Sequence, residues 1–155
     1  MTYENDPQGL LKDMAAKHVL VEINLTSNED VLGVSGKNHP FPVYRRFGVP
    51  VALSTDDEGI ERIDLTHEFV RAVETYGLSY VDLKRLVRNS LEYSFLHGAS
   101  LWAGQDFTRM ASACENDEAG GEKPSPACES LLKGSEKAEQ QWELERRFGD
   151  FEAGF

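Results

Sequence analysis

Histidine and cysteine are scarce in this chain, and their arrangement excludes more than their number does. The 155 residues hold four histidines, His18, His39, His67 and His97. None falls in an H-x-H or H-E-x-x-H pattern, so the chain carries no zinc site complete in itself. The two cysteines, Cys114 and Cys128, match neither a zinc knuckle nor a redox pair. They bracket a run rich in Gly, Pro, Glu and Asp, and two states stand open. In an exported or periplasmic chain they would close a loop of about 15 residues, worth about 3 kcal/mol in the chain-entropy model. In the cytoplasm they would remain thiols. Glycine-rich phosphate loops and G-x-S-x-G elbows are absent as well. Basic residues are outnumbered 16 to 27, a net charge of −11, which argues against nucleic acid or an anionic membrane surface as partner. No apolar run approaches the roughly 18 residues of a membrane span, and no signal-like stretch opens the chain.

What is present suffices for one ordinary domain, with 40% apolar residues able to form a core. The most informative stretch is Val49-Pro50-Val51-Ala52-Leu53-Ser54-Thr55-Asp56-Asp57. A short apolar run with a polar stop reads as a strand buried on both faces, and proline is tolerated at its beginning. In a parallel α/β architecture the C-terminal strand ends form the chemical face, so Asp56 and Asp57 belong to a candidate site. Paired carboxylates there suit a metal, a proton transfer, or both. The competing reading is a plain helix N-cap in a strand-to-helix loop.

Taken in order, Met1 is followed by polar residues, Thr2 to Asp6, that read as the middle of a loop. Asp6-Pro7 then starts an amphipathic helix over 7–17. His18 to Leu25 reads as a second buried strand ending in the polar cluster Thr26-Ser27-Asn28. Short helical pieces follow at 29–32 and 40–47, stopped by Gly33 and Gly48. After the second strand, Leu65, Phe69, Val73 and Tyr76 mark a helix ending at Gly77. Ser79 to Asp82 resembles a capping box opening another helix, with Leu83, Leu86, Val87, Leu91 and Phe95 as inward candidates. This is the rhythm of repeated βα units. Residues 104–134 turn small, polar and charged, as in a long loop or partly disordered segment. A terminal helix over 135–155 carries Ala138, Trp142, Leu144, Phe148 and Phe151 and is expected to pack on the outside of the core. His18 and His67 read as structural or solvated; His39, before Pro40, is less easily placed.

Leu53-Ser54-Thr55-Asp56-Asp57, then Leu65-Thr66-His67-Glu68-Phe69 and Gly77-Leu78-Ser79 with Asp82-Leu83-Lys84-Arg85-Leu86, resembles the last strand and following helices of the adenosine deaminase family. Asn89-Ser90 and Ser94-Phe95-Leu96 fit the same pattern. Upstream, Thr26-Ser27-Asn28 and Lys37-Asn38-His39-Pro40 resemble the penultimate unit, closest to the adenosine deaminase-related growth factor branch and its bacterial relatives. The tail, Gly98 to Trp102 and Ser135 to Ala138 with Trp142, is similar to that branch.

The resemblance implies a zinc-dependent hydrolase of the amidohydrolase superfamily, an α/β protein whose fold is a (β/α)₈ TIM barrel. Residues 1–103 would be its C-terminal part, about the last two βα units. Asp56 would be a zinc ligand that also accepts a proton from the metal's water. Asp57 would contact N7 of the purine in a purine nucleoside substrate, adenosine, which is converted to inosine and ammonia. Ser27 and Asn28 would line the pocket or hold the loop. Glu58 departs from the family, standing where proline commonly follows the Asp pair. The remaining family zinc histidines, the acid glutamate and the base histidine have no counterpart here, and a barrel typically needs about 250 residues. The expectation is therefore a C-terminal fragment, begun at an internal methionine or in a truncated reading frame, and inactive alone. The alternatives are a deaminase of another purine (adenine or AMP) and a non-catalytic binding module.

Overall fold

The computed structural model describes residues 5–155, so part of the loop reading at Thr2 to Asp6 lies outside the described residues. The chain divides into two compact units, one extending to Ser90 and the other Leu91–Phe155.

The first unit opens with helix α1 (Pro7–Ala16), capped by the Asp6 carboxylate accepting from the Gly9 amide at 2.9 Å. Strand β1 (Val21–Ile23) and strand β2 (Val51–Leu53) pair in parallel, with Val21, Glu22 and Ile23 opposite Val51, Ala52 and Leu53. Between them run α2 (Leu25–Leu32), a 3₁₀ turn (Gly36–Asn38) and α3 (Phe41–Arg46). Three helices follow β2: α4 (Glu58–Glu61), α5 (Leu65–Tyr76) and α6 (Tyr80–Glu92). The result is a mixed helical and small-sheet α/β unit.

All three residues of β2 are buried, as its apolar run requires. They join Ile23, Leu25, Phe41, Ala72, Leu78 and Leu86 in one core. The apolar stripe of α5 supplies Phe69, Ala72, Val73 and Tyr76 to it.

β1 is shorter than the expected 18–25. His18 lies in the turn after α1 with φ +55, and Leu25 already begins a helix. Thr26-Ser27-Asn28 therefore form the first turns of α2 rather than a polar strand end. The cause is a partner far along the chain, described below. Phe95 is a second correction: it is fully exposed, because α6 ends at Glu92 and the helical register no longer turns it inward.

The second unit contains α7 (Pro126–Gly134) and α8 (Glu136–Glu152). The composition of residues 104–134 predicts a loop or partly disordered segment, yet 126–134 form a helix. The Ser125 hydroxyl accepts from the Cys128 amide, Pro126 occupies the first helical position, and Cys128 is bonded to Cys114. The two cysteines are thus paired rather than free thiols. The disulfide lies in a small core with Leu101, Ala138 and Trp142, against which Trp102, Met110, Leu131 and Leu132 pack. Gln141, also on the buried face of α8, accepts from the Leu101 amide at 2.8 Å and donates to Glu92 at 2.7 Å.

Candidate active site

Two strand ends meet at a side-chain hydrogen bond. Beyond β2 the chain turns at Asp56, which adopts φ +57, a left-handed conformation that Asp tolerates better than bulkier residues. The Ser27 hydroxyl, in the first turn of α2 just past β1, donates to Asp56 Oδ2 at 2.8 Å. Among the described residues Oδ1 of Asp56 takes no hydrogen bond, and the residue is exposed. Asp57 is exposed too. It occupies the N-cap position of α4, yet its side chain makes no capping bond. A helix cap therefore does not account for it.

The placement of Ser27 depends on Glu68. Helix α2 has no side-chain cap of its own. The Asn24 amide, in the orientation its neighbours demand, donates instead to the carbonyls of Ile23 at 3.2 Å and Ser54 at 3.3 Å. The fully buried Glu68 carboxylate on α5 takes the vacant role. It accepts from the Leu25 amide at 2.6 Å, the Thr26 amide at 3.1 Å and the Thr26 hydroxyl. A carboxylate at a helix N-terminus satisfies first-turn amides and complements the helix dipole. Arg71 donates to the same Thr26 hydroxyl at 3.0 Å and pairs with Glu29.

His39 closes the other side of α2. It is buried, its Nδ1 accepts from the Phe41 amide at 3.0 Å, and its Nε2 lies 2.7 Å from Asn28 Oδ1. An accepting Nδ1 puts the proton of the neutral ring on Nε2, which donates to Asn28. Burial pulls the His39 pKa below its usual 6.5, and the charge of Glu68 works the other way. A cavity of about 230 Å³ lies beside these groups, lined in part by Leu25, Glu29, His39, Arg71 and Tyr76.

As a metal centre the residues fit in part. Asp56 offers an oxygen of a type zinc accepts, with its second oxygen already oriented by Ser27. Both His39 nitrogens are engaged, while His18, His67 and His97 are exposed. Among the described residues the one cluster with ligand spacing is Cys114, Asp117 and Cys128, and its sulfurs are spent in the disulfide. Among the described residues, a zinc ion would find one carboxylate here, Asp56, with Ser27 to orient it.

Of the residues singled out in the sequence, the fold brings Ser27 and Asp56 into direct contact and leaves Asp57 beside them, with Asn28 held by His39. Sequence reasoning missed the role of Glu68. A signal existed, since Glu68 falls on the same helical face as Ala72, beside Phe69, among the apolar positions of α5. An acid on an apolar stripe needs a partner.

Residues 2–100 match the family model described as "Adenosine deaminase". The chain belongs to the adenosine deaminase family. An adenosine deaminase of Aliivibrio fischeri (strain MJ11) is 33% identical over 102 residues, covering 65% of this chain and 30% of that protein. One from Shewanella loihica is 33% identical over 93 residues, covering 59% of this chain and 28% of its own length. Among solved structures, the apo N6-methyl-AMP deaminase of Arabidopsis thaliana is similar, with a TM-score of 0.53 and 29% identity. It is matched over 61% of this chain and 28% of its own. The chain spans three tenths or less of the length of these relatives. The family match ends at residue 100, ahead of the disulfide-bonded segment.

Proposed function

We propose that this chain supplies the last two βα units of a zinc-dependent (β/α)₈ deaminase acting on adenosine, and that Asp56 and Asp57 are its contribution to the active site. The observation carrying this reading is the Ser27–Asp56 hydrogen bond, which joins the C-terminal ends of two parallel strands beside an uncapped Asp57. In this reading Asp56 would hold zinc, its carboxylate oriented by the Ser27 hydroxyl. It also accepts a proton from the attacking water. When bound, zinc lowers the pKa of its water to about 7 and so makes a nucleophile available at neutral pH. Water adds at C6 of the purine and the amino group departs as ammonia, leaving inosine. N7 of adenine accepts hydrogen bonds, so one proton is shared between it and Asp57, which orients the ring. The other zinc ligands and the acid–base groups come from residues outside this chain, and these 155 residues alone are inactive.

The test replaces Asp56 by Asn in the complete enzyme. Zinc content by metal analysis and the loss of adenosine absorbance should both collapse. Retention of full zinc and full rate removes the assignment.

Adenosine is favoured over AMP because a phosphate needs a basic cluster. Between Asp56 and Gly77 the arginines are the isolated Arg62 and Arg71, the latter already engaged by Glu29 and Thr26. Rates with adenosine, adenine, AMP and N6-methyl-AMP compare these substrates directly, and a preference for either nucleotide overturns the choice. The reading as a non-catalytic module is tested on the chain alone, where stoichiometric tight zinc binding would contradict a single-ligand site. The disulfide supports an exported or periplasmic location, where such bonds persist.

A further inference from the structure

We infer that Glu68 is a positioning residue for the metal site: by gripping the first turn of α2 it sets the Ser27 hydroxyl against Asp56 and so tunes zinc affinity. The inference rests on the reading of Asp56 as a zinc ligand.

Three observations carry it. The Glu68 carboxylate receives the two backbone amides immediately before Ser27, those of Leu25 and Thr26, and the Thr26 hydroxyl as well. Those are orphan donors that the local sequence leaves uncapped, because Asn24 is turned toward Ile23 and Ser54. The next residue is Ser27, whose hydroxyl reaches Asp56 at 2.8 Å. Bound at both amides and the hydroxyl, the first turn is oriented by Glu68, and the direction of Ser27 Oγ follows from it. Arg71 braces the same hydroxyl from the other side while paired to Glu29. Glu68 sits at zero exposure, and its hydrogen bonds go to Leu25 and Thr26 rather than to Asp56 or Asp57. It acts through Ser27.

Partners that orient a ligating carboxylate typically change metal affinity about 10- to 100-fold when removed. The experiment measures zinc Kd by chelator competition, Tm of the metal-free protein, and kcat and KM at saturating zinc, all on the complete enzyme. Glu68→Gln keeps the size but puts an N–H₂ where an acceptor is needed. It should weaken zinc about 10-fold or more, and kcat should recover substantially once zinc is saturating. Ser27→Ala should weaken zinc similarly while leaving the metal-free Tm nearly unchanged. The double variant should be no worse than either single one, because both act on the same contact.

A purely structural Glu68 gives a different pattern: Tm falls, but zinc Kd stays within about twofold of wild type, or the two losses add. Either result overturns the inference. If Glu68→Gln fails to fold, Thr26→Val removes one of the carboxylate's donors in a near-isosteric side chain, and an unchanged zinc Kd there is equally fatal. Asp56→Asn in the same assay separates the two layers. Weakened zinc in Asp56→Asn with unchanged zinc in Glu68→Gln sinks only the positioning role. Unchanged zinc in Asp56→Asn sinks the ligand assignment and the inference with it.

Discussion

The buried side-chain amide of Asn89 donates to the backbone carbonyl of Val51 at 2.8 Å, tying α6 to the strand that carries Asp56. The carbonyl belongs to an edge of a two-stranded sheet and has lost access to water. Replacing Asn89 by Leu leaves that acceptor unpaired, at a cost of about 1–3 kcal/mol. Denaturant unfolding of the complete protein should show a lower midpoint at unchanged slope. An unaltered midpoint means the carbonyl finds another donor.

His39 makes stability pH-dependent. Its folded-state pKa lies below the ordinary 6.5 because burial disfavours the charged ring. Below about pH 6.5 the unfolded chain therefore takes up a proton that the folded chain resists, and stability falls as pH drops until the folded-state pKa is passed. His39→Gln keeps a donor toward Asn28 but does not titrate. Thermal unfolding at pH 7.5 and 5.5 should show a smaller loss for the variant than for wild type. Equal losses would clear His39 of the effect.

The Cys114–Cys128 disulfide closes a loop with a sequence separation of 14, inside a core that includes Leu101, Ala138 and Trp142. Converting both cysteines to serine should cost about 3 kcal/mol. The second unit should then become more sensitive to protease, with cleavage concentrated in residues 104–125. Equal resistance of the variant and the oxidised protein would show that packing alone holds the segment.

Gly120 adopts φ +77 where the loop passes against the backbone of Glu145 and Arg146 in α8. A Cβ there would collide with that backbone, and the left-handed conformation adds strain of about 1–3 kcal/mol for other residues. Gly120→Ala should lower Tm, whereas Gly134→Ala, where a Cβ would meet nothing within 4 Å, should not lower it. Similar Tm values for the two variants would contradict the close approach.

Helix capping at Asp6, the breaks at Gly33, Gly48 and Gly77, and the apolar run of β2 are set by neighbours within a few residues. They were legible in the sequence for that reason. The pattern around Asp56 and Asp57 likewise marked them as site candidates and pointed to the family. What the sequence could not decide was where β1 ends and α2 begins. The residues Leu25 to Asn28 suit either element, and the choice fell to a carboxylate 43 positions from Leu25. The same holds for α7, whose start is local but whose packing depends on a disulfide partner 14 residues away, and for Phe95, turned outward by the end of α6. Local chemistry determines helix ends and strand runs because it acts over a few residues. Only the folded chain brings Glu68 to Leu25 and Ser27 to Asp56, since those contacts exist once distant segments share one core.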